Sequence, residues 1–423
     1  MTKSTSTEKK TRKKLAIHWQ ILIGIGLGII FGIVMTKFIP YEKWSPYIKW
    51  AGDMFLRGLR MIVIPLIFSS IALGVAGMGD SKALGRIAGK TFAFYIVTTL
   101  IAATIGLTLV NIVKPGVGAD LKLTENVTEL AGTQVSFIDQ IVHIVPANIF
   151  EALSTGNLLA IIFFAIVFGF FITMVDQKQQ TTLKDILQAI YDVIMKITLF
   201  IIKLAPYGVF AIVANVVGKQ AGDTKALLDI AGSLGIFVLI VWGGLLLHGG
   251  IVLPALVRIL GKANPWKHIS KVSTALLTAF STCSSGAALP FNIRQTQECG
   301  VSSKIASFAL PLGATINMNG TALYECVAAI FIAQAYGIEL TIMQQVILVF
   351  TSLMAAIGAA GIPMAGMVML TIVLNVVGLP LEGIGLVLAV EQLCDMPRTM
   401  INTYGDTCGA VIVARSEGEE LTI

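Results

Sequence analysis

Residues 391–410, EQLCDMPRTMINTYGDTCGA, place three carboxylates and one guanidinium in the most apolar half of the chain. On a helix, with about 100° between successive residues, the polar side chains of this stretch share one arc of roughly 100°. They are Glu391, Asp395, Arg398, Thr399, Asn402 and Asp406. Exposing the charges to lipid would cost at least ~2.5 kcal/mol each, so the arc must face protein or water. A purely structural ion-pair stripe is the alternative, and it leaves the excess of acids over arginine unexplained.

The composition identifies an integral membrane protein. Of 423 residues, 56% are hydrophobic and only 13% are charged, and the mean hydropathy is +0.84, whereas soluble domains are nearer half apolar and a quarter charged. The apolar residues come in long blocks, which favour helices over the strands of a barrel. The net charge of +6 arises at the amino terminus and in short loops, which indicates membrane orientation and not nucleic-acid binding.

The first part of the chain predicts six membrane crossings with a cytoplasmic amino terminus. The apolar segments lie at 17–38, 51–77, 88–113, 147–174, 187–217 and 227–259. The first segment has no small-residue cleavage site, so we interpret it as a membrane helix and not a signal peptide. The stretch 115–146 is poor in Lys and Arg and is predicted to be external, whereas the loops near 82–90 and 258–271 are basic and predicted to be cytoplasmic.

After residue 268 the apolar segments are interrupted. STALLTAFSTCSSGAALPFNIRQ (273–295) and the region around GAAGIPMAG (358–366) resemble hairpins, and NMNGT breaks the apolar run 311–334. Irregular backbone survives at membrane depth only where it is buried or lines a cavity, and paired Gly/Pro-interrupted segments indicate an inverted-repeat transporter. Close helix packing by small residues is the alternative, and it does not explain three such clusters beside a charged helix.

The residue types of the arc favour a zwitterionic acid and a hard cation as ligands. A buried guanidinium suits bidentate binding of a carboxylate, and Asp395 lies one turn before Arg398, where it suits an ammonium group. Asn402 and Asp406 offer oxygen ligands for Na⁺. Five cysteines form no metal or disulfide pattern and are expected to be small buried residues. The histidines His18, His143, His248 and His268 are scattered and are predicted to be interfacial or incidental.

Four motifs resemble the glutamate/aspartate transporters, also called dicarboxylate/amino acid:cation symporters, which include archaeal aspartate transporters and animal excitatory amino-acid transporters. The motifs are STCSSGAALP, GATINMNGTALYE, GAAGIPMAG and DMPRTMINTYGD, in family order. The resemblance extends over nearly the whole chain. It implies cation-coupled symport of aspartate or glutamate and no enzymatic activity.

The resemblance also implies an architecture. The expected protein is an all-α homotrimer in the lipid bilayer of the cell membrane, with eight transmembrane helices, two re-entrant hairpins, inverted repeats and an elevator mechanism. Residues 1–16 would be a cytoplasmic basic tail, 17–259 six helices including the trimerisation scaffold, 260–417 the core of the transport domain, and 418–423 a second cytoplasmic tail. Hairpin 1 would lie at 268–299, helix 7 at 305–335 and hairpin 2 at 341–378.

Carried over residue by residue, the resemblance implies a substrate pocket and its ligands. Arg398 would bind the side-chain carboxylate, Asp395 with Thr399 the amino group, and Asn402 with Ser285 the α-carboxylate. The pocket residues would be Cys283, Ser284, Ser285, Thr321, Ile362, Gly366, Asp395, Arg398, Thr399 and Asn402.

The resemblance further implies two or three Na⁺ sites, with H⁺ and K⁺ as further candidate coupled ions. One site would use Asp406, Asn402, Gly313 and Asn317. A second would lie under hairpin 2, around Thr315, Ala356, Ile357 and Ala359. The third would comprise Tyr95, Thr98, Thr99, Asn317 and Asn319.

The chain departs from the family pattern at the ion and substrate sites. The family usually has Asp at position 319, and its auxiliary arginine is absent because Cys283 and Met396 occupy the two places where it occurs. Losing the carboxylate should weaken the third sodium site. Glu325 stands where animal members have a glutamate associated with proton coupling. Passive pairing with Arg398 is the alternative.

Other functions fit less well. Polar residues on several helices could line a channel, but two paired hairpins favour an occluding site. An intramembrane hydrolase using Ser284 or Ser285 has no histidine in a suggestive context and leaves the charged arc unexplained. Among transporters, a C4-dicarboxylate or neutral amino-acid symporter of the same fold is the alternative.

Overall fold

A computed structural model describes residues 17–76, 82–117, 145–155, 158–220, 224–358 and 365–423. Every regular element in these ranges is a helix, so the all-helical prediction is confirmed. The long apolar runs explain this, because a helix in hydrocarbon satisfies its backbone polar groups within one segment.

Helices in the first part of the chain are α1 (Ile17–Phe38), α2 (Tyr41–Trp44), α3 (Pro46–Ala76), α4 (Lys82–Val113), α5 (Ile149–Thr155), α6 (Leu158–Ile172), α7 (Gln177–Lys203), α8 (Ala205–Gln220), α9 (Thr224–Leu247) and α10 (Leu253–Ile259). A π-helical turn, His248–Val252, joins α9 to α10. The later helices are α11 (Pro265–Thr282), α12 (Ser285–Glu298), α13 (Ser303–Ile316), α14 (Asn319–Ala335), α15 (Ile342–Gly358), α16 (Ala365–Val376), α17 (Ile384–Leu388) and α18 (Glu391–Ser416).

Length and composition mark three segments of the described chain as able to cross a membrane. They are Arg86–Val113, Leu228–Ile259 and Ser303–Ala335. A fourth arises if Gln177–Ile201 and Ala205–Lys219 form one span, although they are bent by 51°. The protein is therefore a multi-pass membrane protein, and eight spans with two re-entrant hairpins remain a prediction.

One of the predicted crossings is divided into two helices. The segment 187–217 is divided at Leu204 between α7 and α8, where Pro206 at the second position of α8 has no N–H to continue the preceding helix. The segment 147–174 contains α5 and α6, with 156–157 outside the described residues.

The helices α11 and α12 form a helical hairpin, hereafter hairpin 1. Asn264 caps α11 by accepting from the N–H groups of Trp266 and Lys267. The two arms are joined at Cys283, whose φ of 51° turns the chain back. Ser284 then caps α12 by accepting from the N–H of Ala287. The helices α15 and α16 pack against each other in the same way and are called hairpin 2, whose connection 359–364 lies outside the described residues.

The polar helix α18 lies at the centre of the second half of the chain. It packs against α11, α12, α13 and α14, and also against α4 and α9 from the first half. Helices α13 and α14 are separated by Asn317 and Met318, so the apolar run 311–334 is broken where NMNGT predicted it. The break lies against α18 and brings irregular backbone next to the charged arc.

Candidate functional site

The polar arc of α18 is buried along its whole length. None of its six side chains is more than 5% exposed, and the helix continues through Pro397. The predicted arc therefore faces protein.

Arg398 is held by two acids of its own helix. Its Nη2 donates to Glu391 Oε1 and to Asp395 Oδ1, both at 2.6 Å. The guanidinium lies 4.5 Å from the centre of the Tyr324 ring on α14. On its other side, a Cβ added to Gly366 of hairpin 2 would lie 2.6 Å from Nη1. Nη1 has no hydrogen-bond partner among the described residues, so this donor is available to a ligand.

Glu391, to which the sequence analysis gave no role, is the second acid on Arg398. It is seven residues before the arginine, two helical turns along the same face, so the spacing alone could have suggested the pair. With Asp395 it gives the three-residue cluster a formal charge of −1 when all members are ionised. The cluster therefore favours a ligand that brings a positive group.

Asn402 connects α18 to the break between α13 and α14. Its Oδ1 accepts from the N–H of Gly320 at 2.7 Å, and its Nδ2 donates to Thr321 Oγ1 at 3.1 Å. One turn earlier, Thr399 Oγ1 donates to Asp395 Oδ1 at 3.2 Å. The predicted pocket residues thus form two hydrogen-bonded groups one turn apart, Asn402 with Thr321 and Thr399 with Asp395.

The tip of hairpin 1 also contacts α18. Gln392 Nε2 donates to Cys283 Sγ at 3.1 Å, and Thr403 Oγ1 donates to Ser285 Oγ at 3.4 Å. Ser285 therefore pairs with Thr403 and not with Asn402. Of the predicted hairpin 2 residues, Gly366 lies against Arg398, and Ile362 lies outside the described residues.

Asp406 and Asn317 present buried oxygens without partners. Asn317 Nδ2 donates to Asp406 Oδ1 at 2.9 Å. The remaining oxygens, Asp406 Oδ2 and Asn317 Oδ1, have no hydrogen-bond partner in the described part of the chain. A Cβ on Gly313 would lie 2.5 Å from Asp406 Oδ1 and 2.7 Å from the Tyr95 hydroxyl, so only glycine fits there. Unsatisfied hard oxygens in a dry site suit a small cation such as Na⁺.

A second polar group lies between α4 and the start of α14. Thr99 Oγ1 donates to Asn319 Oδ1 at 2.7 Å, and Thr98 Oγ1 donates to the carbonyl of Phe94 at 2.8 Å. Asn319 Nδ2 lies 3.1 Å from His248 Nε2. No sequence pattern indicates this contact, because His248 and Asn319 are 71 positions apart.

Of the two predictions for His248 and His268, interfacial or incidental, the first is wrong, because both side chains are fully buried. Side chains of His18 and His143 lie outside the described set. The five cysteines are buried and free.

The residues predicted for a sodium site under hairpin 2 are only partly described. Thr315 Oγ1 donates to the carbonyl of Leu312 at 3.0 Å, and Ala356 and Ile357 are buried near the end of α15. Ala359 lies outside the described residues.

Glu325 is fully buried on α14. Neither of its carboxyl oxygens meets hydrogen-bond geometry with a partner among the residues that the structure describes. The ion pairs of Arg398 are instead with Glu391 and Asp395. Passive pairing with Arg398 through direct contact is therefore not observed.

Most of the chain is matched by known proteins. The sodium:dicarboxylate symporter family matches residues 17–416. The chain belongs to this family. It is a family of transporters, so the chain is a transporter and not an enzyme.

The names of similar proteins in the family refer to different substrates. The proton/sodium-glutamate symport protein of Bacillus caldotenax is 35% identical over 96% of each chain. Excitatory amino acid transporter 3 of Mus musculus is 35% identical over 100% of this chain and 90% of its own length. The C4-dicarboxylate transport protein of Laribacter hongkongensis (strain HLHK9) is 33% identical over 95% of this chain and 90% of its own.

Proposed function

We propose that the chain is a secondary active transporter that couples the entry of Na⁺ to the uptake of an acidic amino acid, aspartate or glutamate. The observation that carries the proposal is the buried Arg398, with Asp395 and Glu391 on one nitrogen and a free Nη1 beside Gly366. The guanidinium would bind the side-chain carboxylate and Asp395 the ammonium group. The −1 cluster favours a ligand with an amino group over a C4-dicarboxylate.

Sodium would bind at groups of buried oxygens, of which those of Asp406 and Asn317 lack partners among the described residues. Asp406, Asn317 and Gly313, with Asn402 nearby, would form one site, and Tyr95, Thr98, Thr99 and Asn319 another, with a further candidate around Thr315, Ala356, Ile357 and Ala359. Sodium supplies positive charge to the acids. With Glu325 protonated, Glu391, Asp395 and Asp406 exceed Arg398 by two charges, and an acidic amino acid adds a third. About three cations would therefore neutralise the filled site, which lowers the cost of moving it through the bilayer.

The family resemblance and the broken helices support an elevator. Eight transmembrane helices and two re-entrant hairpins, with both termini cytoplasmic, would form each subunit of a homotrimer in the cell membrane. The core formed by 260–417 would carry the site across the bilayer against a scaffold in 17–259. Glu325 would carry a coupled proton, with K⁺ as a candidate counter-ion, because burial disfavours the charged form of a carboxylate.

The test is uptake of labelled aspartate, glutamate and succinate into proteoliposomes with Na⁺, H⁺ and K⁺ gradients varied separately. We expect an inward Na⁺ gradient to concentrate aspartate or glutamate inside the vesicles. A channel cannot concentrate its substrate against an electrochemical gradient, so equilibration without concentration would contradict the proposal. Concentration of succinate but of neither amino acid would instead support the C4-dicarboxylate alternative.

A further inference from the structure

We propose that His248 is a positioning residue for a cation site, which it serves by holding the Asn319 amide with its oxygen toward Thr99. The inference rests on the proposed function, because it concerns one of the sodium sites proposed above.

Three segments of the chain meet at this amide. Thr99 of α4 donates to Asn319 Oδ1 at 2.7 Å, and Asn319 Nδ2 lies 3.1 Å from His248 Nε2. All three side chains are buried, with at most 1% exposed. Gly405 of α18 closes the group, since a Cβ there would lie 3.0 Å from Asn319 Nδ2.

The hydrogen bonds define which nitrogen of His248 carries the proton. With Asn319 Oδ1 accepting from Thr99, the amide Nδ2 must donate, so His248 Nε2 must accept and be unprotonated. The proton of the neutral ring then lies on Nδ1, which has no partner among the described residues. If the proton were on Nε2 instead, the Nε2–H group would donate to the amide oxygen of Asn319. The NH₂ group of the amide would then point toward Thr99.

Orientation matters for an amide in a way that it does not for a carboxylate. An asparagine has one oxygen for a cation, and its other terminal group repels positive charge, whereas both oxygens of an aspartate are equivalent. A neighbour that accepts from Nδ2 therefore stabilises the one orientation in which Asn319 can bind Na⁺. Hydrogen-bond partners of metal ligands typically change metal affinity by about 10- to 100-fold when removed.

The backbone at His248 is specialised for this position. The residue begins the π-helical turn His248–Val252 between α9 and α10, and π turns inside helices are frequent at functional sites. The next residue, Gly249, faces α18 so closely that a Cβ would lie 2.3 Å from Ile401 Cδ1. The turn thus brings His248 into the core beside the start of α14.

The experiment measures sodium binding without transport. The full-length protein is purified in detergent, and its unfolding temperature is followed as NaCl replaces choline chloride at constant ionic strength. The variants are His248→Leu, which removes the acceptor, and His248→Gln, whose amide oxygen can replace it. His268→Leu is the matched control, because His268 is equally buried but its ring packs against that of Tyr404, 5.6 Å between centres, and not against Asn319. The Asn319→Asp substitution is also made in the wild type and in each of the two His248 variants.

We expect His248→Leu to raise the Na⁺ concentration for half-maximal stabilisation about tenfold or more, and His248→Gln and His268→Leu to leave it within about twofold. In the Asn319→Asp background, His248→Leu should change it by no more than about twofold, because a carboxylate needs no orientation. Should His248→Leu not fold, the short polar His248→Ser is expected to give the same tenfold shift.

The inference is overturned if His248→Leu has the same Na⁺ concentration for half-maximal stabilisation as the wild type, or if His248→Gln raises that concentration as much as His248→Leu does. It is also overturned if His248→Leu causes the full tenfold rise in the Asn319→Asp background. A wild-type protein with no Na⁺-dependent stabilisation would overturn the proposed function itself. Failure of the inference alone would look different, because Na⁺ would stabilise the wild type and the His248 variants equally.

Discussion

Arg398 contributes more than a positive charge, because its surroundings determine which of its donors a ligand can use. Glu391 and Asp395 occupy Nη2, Tyr324 lies against the guanidinium, and Gly366 packs so closely on it that an added Cβ would lie 2.6 Å from Nη1. The donor left for a carboxylate among the described residues is therefore Nη1. The acids also hold the arginine in place, so the site is pre-organised for its ligand.

At the same scale, Glu325→Gln tests proton coupling. The amide keeps the shape of the carboxyl group but cannot take up or release a proton, so pH-dependent net uptake should be lost while exchange of internal for external amino acid continues. Both are measured in proteoliposomes with labelled aspartate. Net uptake that keeps its normal pH dependence in Glu325→Gln would show that another group carries the proton.

Some residues of the candidate site can be identified from the sequence, and others cannot. Charges in an apolar helix identify Arg398, Asp395 and Asp406, since each is costly at membrane depth and requires a reason. His248 could not be found in this way, because its contact with Asn319 joins residues 71 positions apart. Only the packing of the π turn against α14 reveals it.

At the scale of elements, hairpin 2 and α13 approach the charged side chains through glycine. Gly366→Ala would put a methyl group 2.6 Å from Arg398 Nη1. We expect aspartate affinity to fall about tenfold, as overpacking of 1–3 kcal/mol implies, in a calorimetric titration. Gly235→Ala on α9, with nothing within 4 Å of the added Cβ, is the matched control. Equal affinities in the two variants would contradict the predicted approach of hairpin 2 to the guanidinium.

The carboxyl terminus is a packed element, although its sequence suggested only a tail. Glu417 is bonded by Arg86, and by Lys90 at 2.6 Å. The Thr422 hydroxyl donates to the carbonyl of Glu298, and the Thr422 N–H donates to the carbonyl of Cys299, at the base of hairpin 1. The segment therefore connects α4, α18 and hairpin 1 on one side of the protein.

The cations around Glu417 give this element a pH dependence. Arg86 and Lys90 lower the pKa of the Glu417 carboxyl from its ordinary 4.5 to about 2. A depressed pKa stabilises the fold above the ordinary value, and the contribution is lost as pH falls from about 4.5 toward 2. We expect Glu417→Gln to lower the unfolding temperature in detergent at pH 7, and the difference from wild type to shrink below about pH 4.5. A difference that is constant with pH would refute the ion-pair role.

The sequence predicts a helix boundary where polar residues or glycine interrupt an apolar run. The break at Asn317 and Met318 follows from polar residues and glycine inside an apolar run. The division between α7 and α8 was missed, because an apolar segment with a single proline looks continuous when only hydropathy is considered.

For the whole molecule, the central claim is that sodium and an acidic amino acid bind the same charged core and stabilise each other. Asp406 lies two turns beyond Arg398 on α18, and both face the break between α13 and α14. Bound Na⁺ offsets the negative charge that an acidic amino acid adds to the core, so each ligand should raise the affinity for the other by the same factor. The sequence predicted this charge pattern, and the fold adds that Glu391 pairs with Arg398.

The most direct measurement is the dissociation constant of aspartate for the purified protein over a range of Na⁺ concentrations, with choline as the replacement ion. We predict that the constant falls steeply as Na⁺ rises, and that Asp406→Asn makes the dependence shallower. A dissociation constant that stays the same when choline replaces Na⁺ would contradict the account.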